Sequence, residues 1–179
     1  MIRDLAVELT AFKETERNKV VIKDGRRFLR RSPDRWDWIV IDAFVRNSQY
    51  PPHLATHEFF ALVGDHLNDD GVLAINIIAG NKLHDCLIGA IASAFPSVVL
   101  FVVPTSANVV ALASRNPHAN LEERLKAAPA APLSTMMIDN GVDLSHIAAI
   151  GAPPGALVCA RPLTDDFAPT EFLGAQGLK

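Results

Sequence analysis

Two aspartates stand at positions where an open sheet does its chemistry. Val20-Val21-Ile22 runs into Asp24-Gly25, and Trp38-Ile39-Val40-Ile41 runs into Asp42. Ligands of open α/β sheets bind at the carboxyl ends of the strands. If both runs are strands of one sheet, both carboxylates face one rim. Asp is also a common turn residue, so capping the following turn is the alternative at each position. Gly25 strengthens the case at Asp24, because a residue without a side chain lets a flat ligand approach the backbone. Other candidates lack context. His53 and His57 are four apart, a spacing that can hold a metal on one helical face. No third ligand is evident, Pro51-Pro52 put His53 at or before the helix start, and Glu58 does not fit a His-Glu-x-x-His motif. No metal site is expected. Arg26, Arg27, Arg30 and Arg31 read as a solvated helix face, and Trp36 and Trp38 as packing residues.

The elements that must position these residues follow from periodicity. Leu5, Leu9 and Phe12 form the stripe of a first helix, with Asp4 as its N-cap. The Val20–Ile22 strand follows, then helical turns over Arg26–Arg31, then the Trp38–Ile41 strand. Ala43–Pro52 has no period and reads as a loop. Thr56 caps a helix whose stripe is Phe59, Phe60, Val63 and Leu67. Asp69-Asp70-Gly71 reads as a turn before a strand over Val72–Ile78, and a helix spans about Lys82–Phe95. Val98–Val103 and Val109–Ala113 then form a hairpin. Beyond Ser114 the pattern changes: a short helix over Asn120–Lys126, a linker over Ala127–Pro132, another short helix over Leu133–Asn140, and an irregular end from Ala160.

Apolar strands without alternation belong to a sheet covered on both faces, and strands alternating with helices make the class α/β. Such an arrangement is most familiar from the Rossmann-like fold of S-adenosylmethionine-dependent transferases, with a mostly parallel sheet and a C-terminal antiparallel hairpin. The expected division is a core over residues 1–114 and an extension over 115–179 packed on or over it. Composition agrees. The 179 residues suit one domain, and 49% hydrophobic with 21% charged content describes a cored globular chain. No apolar run reaches the roughly 20 residues of a membrane-spanning helix. A net charge of -3 argues against a strongly basic nucleic-acid surface. Cys86 and Cys159 read as two buried free thiols of a cytoplasmic protein.

Several segments, in order, resemble the spermidine synthase (aminopropyltransferase) family. They are Val-Val-Ile-Lys-Asp24-Gly25, Trp-Asp-Trp-Ile-Val-Ile-Asp42, Pro51-Pro-His-Leu-Ala-Thr-His-Glu-Phe-Phe60, Gly71-Val-Leu-Ala-Ile-Asn76 and Leu163-Thr-Asp-Asp-Phe-Ala-Pro-Thr-Glu171. The last three are similar to the bacterial spermidine-synthase-like branch. The resemblance implies that Asp24 accepts a hydrogen bond from the exocyclic amine of adenine, since an ionised carboxylate is an acceptor only. It places Gly25 against the adenine, Asp42 as the general base, and Ala43–Pro52 as a lid with Pro51 near the adenosyl group. Asp165 and Asp166 become candidates for holding a cationic amine if the tail folds over the rim. The co-substrate implied is decarboxylated S-adenosylmethionine, with no tightly bound cofactor. Partners would be a small amine, an adenosyl nucleoside and a second copy of the chain, with neither nucleic acid nor membrane.

The departures are specific. Where the family carries a second Asp three residues after the catalytic one, this chain has Val45, and Lys23 replaces the first glycine of Gly-Asp-Gly. The glycine-rich loop and the ribose-binding Glu of the family's first two strands have no counterpart, so the fold is expected to be N-terminally incomplete. The first reading is therefore aminopropyl transfer to an amine in polyamine biosynthesis. A methyltransferase using S-adenosylmethionine, and a non-catalytic remnant acting through association, are the alternatives.

Overall fold

The largely apolar run over Val72–Ile78 becomes part of the longest described strand, which is paired on both sides. In the computed structural model, which describes residues 2–10, 12–44, 50–80, 82–102, 106–127, 135, 148–150, 159 and 161–175, one five-stranded sheet carries the described strands. These are β1 (Trp36–Ile41), β2 (Leu67–Ile78), β3 (Ser97–Val102), β4 (Asn108–Ser114) and β5 (Ala148–Ile150), in the order β1-β2-β4-β3-β5. The helices are α1 (Ile2–Leu9), α2 (Gly25–Arg31), α3 (His57–Asp65), α4 (Lys82–Ala94), α5 (Leu121–Lys126) and α6 (Thr170–Ala175).

Alternation along β2 divides the core. Leu73, Ile75 and Ile77 face α3 and α4, where Phe59, Phe60, Val63, Leu87, Ile88 and Ile91 are buried with them. Val72 and Ala74 face the opposite side and meet Val99, Leu112 and Leu121. Thr56 caps α3 as its type requires, its hydroxyl accepting from the Phe59 N–H at 3.2 Å. The class is α/β, as expected. Pairing is less parallel than the apolar runs suggested. β1 and β2 pair in parallel, whereas β2–β4, β3–β4 and β3–β5 are antiparallel. The expected hairpin is β3–β4, and β4 docks it on β2.

Four expectations are corrected. Val20–Ile22 is not a strand: no described strand lies beside it, and three residues without a ladder have nothing to fix them as one. Asp24 accordingly follows no strand and instead caps α2. Asp69-Asp70-Gly71 does not interrupt the sheet but lies within β2. Trp36 faces Leu67 and Trp38 faces Val72, so β2 bulges while β1 advances two residues. Gly71 permits this, since a Cβ there would lie 2.9 Å from the Trp36 carbonyl oxygen. Cys86 and Cys159 are not free thiols but a disulfide with Cα atoms 4.9 Å apart. Their apolar neighbours suggested burial, but residues 73 apart in sequence gave no sign of meeting. α1 starts at Ile2, which puts Asp4 in its first turn, and Leu5 and Leu9 are exposed. The helix expected over Leu133–Asn140 and the linker from residue 128 lie, but for Thr135, outside the described residues.

Candidate active site

Parallel pairing of β1 with β2 sets the first group. Ile41 pairs with Ile75, so the next residues, Asp42 and Asn76, are neighbours at the carboxyl end of the parallel pair. The Asn76 side-chain Nδ2 donates to Asp42 Oδ1 at 3.2 Å. Beneath them the buried Tyr50 donates its hydroxyl to the Asn76 backbone carbonyl. Burial, and then the negative charge of Asp42, push the Tyr50 phenol well above its ordinary range. The Tyr50 hydroxyl is thus a fixed donor at any working pH. Thr170 Oγ1, from α6, donates to the Tyr50 carbonyl at 2.8 Å. Phe44 packs edge-on against the Tyr50 ring at 4.9 Å.

The second group sits on the first turn of α2. Asp24 Oδ1 accepts from the Arg27 backbone N–H at 2.9 Å, and Oδ2 lies 2.7 Å from His53 Nε2. The Arg27 amide, helped by His53, holds the Asp24 carboxyl below its usual range. A cavity of about 460 Å³ opens beside this turn, lined by Gly25, Phe28, Trp36, Trp38, Asp42 and Phe59 among others. Its size and aromatic lining with one carboxylate are those of a small-molecule site. A Cβ at Gly25 would meet no atom within 4 Å, so the space over it is open. Asp24 itself lines a neighbouring cavity of about 460 Å³ with Lys23, Arg27 and Arg31, and Phe28 belongs to both. Gly25 and Asp42 therefore share one cavity, and Asp24 stands at the adjoining rim.

A third group comes from the end of the chain. Arg26, expected on a solvated face, is 8% exposed. Its Nη1 and Nη2 donate to Asp165 Oδ1 and Oδ2, both at 2.6 Å. The Arg26 guanidinium holds the Asp165 carboxyl below its ordinary range. Asp165, a candidate for holding the amine if the tail folded over the rim, is here the counter-ion of a buried arginine. Asp166 is exposed beside it. Pro51 accepts the Leu54 N–H at 2.9 Å, and it is Leu54 that reaches the cavity. Val45 and most of the expected lid, residues 45–49, lie outside the described residues. His57 Nδ1 lies 2.7 Å from Ser93 Oγ, so the two histidines are engaged apart. Arg26, Tyr50 and Asn76 escaped the sequence reading. Asn76 carried the one available signal, a polar residue inside an apolar strand.

Residues 1–113 match the family described as the spermine/spermidine synthase domain. Among curated proteins the chain is similar to a probable polyamine aminopropyl transferase of Bifidobacterium longum, with 29% identity over 194 aligned positions. That match takes in 99% of this chain and 42% of the relative, so the chain spans less than half the relative's length. Among solved structures it resembles human methyltransferase-like protein 13 in complex with SAH, with 16% identity and a TM-score of 0.61. The match covers 89% of this chain and 72% of that one. A probable spermidine synthase from Corynebacterium glutamicum gives 20% identity and a TM-score of 0.56, over 63% of this chain and 43% of that one. Both likenesses are of fold.

Proposed function

The chain belongs to the spermine/spermidine synthase domain family, and from that premise we propose that it transfers an aminopropyl group from decarboxylated S-adenosylmethionine to an amine. The observation that carries this reading is that Gly25 and Asp42 line one aromatic cavity, with Asp24 at its rim. In the proposed complex the adenosyl group lies over Gly25 against Phe28, and Asp24 accepts a hydrogen bond from the exocyclic amine of adenine. Pro51 borders the adenosyl site as part of the lid. An amine with pKa near 10 arrives protonated, and only its lone pair can attack. Asp42, held by Asn76, orients the amine and takes its proton. The nitrogen bonds to the carbon next to the sulfonium, the carbon–sulfur bond breaks, and its electrons leave with sulfur as neutral 5′-methylthioadenosine. Asp165 is bound to Arg26, so of the two tail aspartates Asp166 is the one free to meet the cationic end of the amine.

The same reading implies an enzyme that self-associates, binds neither nucleic acid nor membrane, and is cytoplasmic, a setting in which the Cys86–Cys159 bond is an exception to the usual reduced state of thiols. β1 supports the self-association. It is an edge among the described strands, with Trp38 57% and Val40 71% exposed, and both also line the cavity, so a second copy paired there would stand beside the nucleoside site. Titration calorimetry with 5′-methylthioadenosine tests the nucleoside site, and light scattering tests the assembly. Binding that weakens in Asp24→Asn is expected. A well-folded sample that binds no nucleoside would overturn the reading. Binding with methyl transfer from S-adenosylmethionine, and no aminopropyl transfer, would move it to a methyltransferase.

A further inference from the structure

The end of the chain is fastened to the rim by more than packing. The Leu163 carbonyl accepts the His57 N–H at 2.9 Å, filling a bond that the first turn of α3 cannot make for itself. Leu163 is fully buried, and Thr164 and Phe167 close a small bridge by exchanging backbone bonds at 3.0 and 2.9 Å. At the tip of that bridge Asp165 meets Arg26. Both carboxylate oxygens are engaged, Oδ1 by Arg26 and by the Thr56 hydroxyl at 2.8 Å, Oδ2 by Arg26 again. The Asp165 N–H donates to Glu58 Oε2 at 3.0 Å. Arg26 Nη1 also reaches the His53 carbonyl at 3.0 Å. Upstream, the Cys86–Cys159 bond ties the same segment to α4.

We infer that the Arg26–Asp165 pair is a latch that positions the Asp24–Gly25 turn against the start of α3, and that Asp165 acts on substrate only through it. Arg26 directly follows Gly25, and the residues it joins through Asp165 and Thr56 open the helix whose Phe59 lines the same cavity. A planar guanidinium held by two parallel bonds fixes direction as well as distance. Asp42 lies on the sheet and is oriented from β2, outside this network. The latch therefore sets how well the nucleoside is held, and the rate of the chemical step is set elsewhere.

This inference rests on the nucleoside reading of the rim, so its test has an arm independent of that reading. Amide exchange at His57 in the whole, unliganded chain reports release of Leu163. Asp165→Asn should raise that exchange at least tenfold, whereas Asp65→Asn, which breaks the exposed Arg115–Asp65 pair, should leave it unchanged. In the transfer assay Asp165→Asn should raise the KM for the adenosyl donor about tenfold and change kcat less than threefold. Unchanged His57 exchange in Asp165→Asn overturns the latch. A fall in kcat with KM intact also overturns it, and would make Asp165 a ligand of the reacting amine. A chain with no transfer activity removes the reading of function, and the exchange arm still decides the latch.

Discussion

Thr56→Val removes one hydroxyl from the place where three segments meet and keeps the side chain's shape. Thr56 is 1% exposed. Its oxygen accepts the Phe59 N–H at 3.2 Å and donates to Asp165 Oδ1 at 2.8 Å. Loss of an N-cap costs about 1 kcal/mol. A hydrogen bond to a charged group contributes roughly 1.5–3 kcal/mol when sheltered. The Asp165 side chain is 44% exposed, so water screens that bond and about 1 kcal/mol is the better figure. The two together give about 2 kcal/mol. For a chain of this length that lowers Tm by about 4–8 °C, and with a urea slope of about 2 kcal/mol/M it moves the midpoint by about 1 M. The cap and the latch bond separate in a double-mutant cycle. In an Asp165→Ala background the same substitution should cost only the cap and the long 3.5 Å bond from Arg26 Nη1, about 1 kcal/mol in all. A cost below about 0.5 kcal/mol, within the range of an ordinary surface change, would mean that the hydroxyl holds neither partner. An identical cost in both backgrounds would mean that it does not hold Asp165.

Three further outcomes follow from the same geometry. Thiol titration of the unfolded, unreduced chain should find no free thiol. Reduction should then lower stability by up to about 4 kcal/mol, because the bond closes a loop of 73 residues; two titratable thiols before reduction would contradict the disulfide. Asn76→Ala should lower kcat about five- to tenfold, about 1–1.4 kcal/mol, through loss of the bond that orients Asp42, with methylthioadenosine affinity unchanged by calorimetry. The third concerns pH. Asp165 and Asp24 are both depressed when folded, so their stabilisation is complete above the unfolded carboxylate value near 3.9 and is lost as pH falls through the folded values. Tm measured from pH 6 downward should hold until about pH 4 and then fall, and Asp165→Asn should flatten that fall.

What could be read from the sequence was what local pattern determines. Thr56 announces α3, the Val98 and Val109 runs pair as expected, and apolar β2 lies in the core. Asp42 could be placed at a strand end because the Trp38–Ile41 run is itself the signal, whereas Gly25 was named beside a run that forms no described strand. Three of the misreadings share a cause, which is distance along the chain. Val20–Ile22 has the composition of a strand, but a strand is defined by its neighbour. Arg26 looks like its solvated companions Arg27 and Arg30, because the carboxylate that buries it lies 139 residues on. The cysteines are similarly remote. Asp69-Asp70-Gly71 failed for a different reason: a turn-like triplet can equally be a bulge, and the facing Trp36 carbonyl decides which.

On the proposed function, Asp42 removes the proton of an attacking amine in a cavity lined in part by Gly25. The rate of aminopropyl transfer by Asp42→Asn, at saturating donor and amine, tests it most directly. A positioned base contributes roughly 10²–10⁴-fold. A loss of kcat in that range is expected, with 5′-methylthioadenosine bound as tightly as by the unaltered chain. Transfer at an undiminished rate in Asp42→Asn would contradict it.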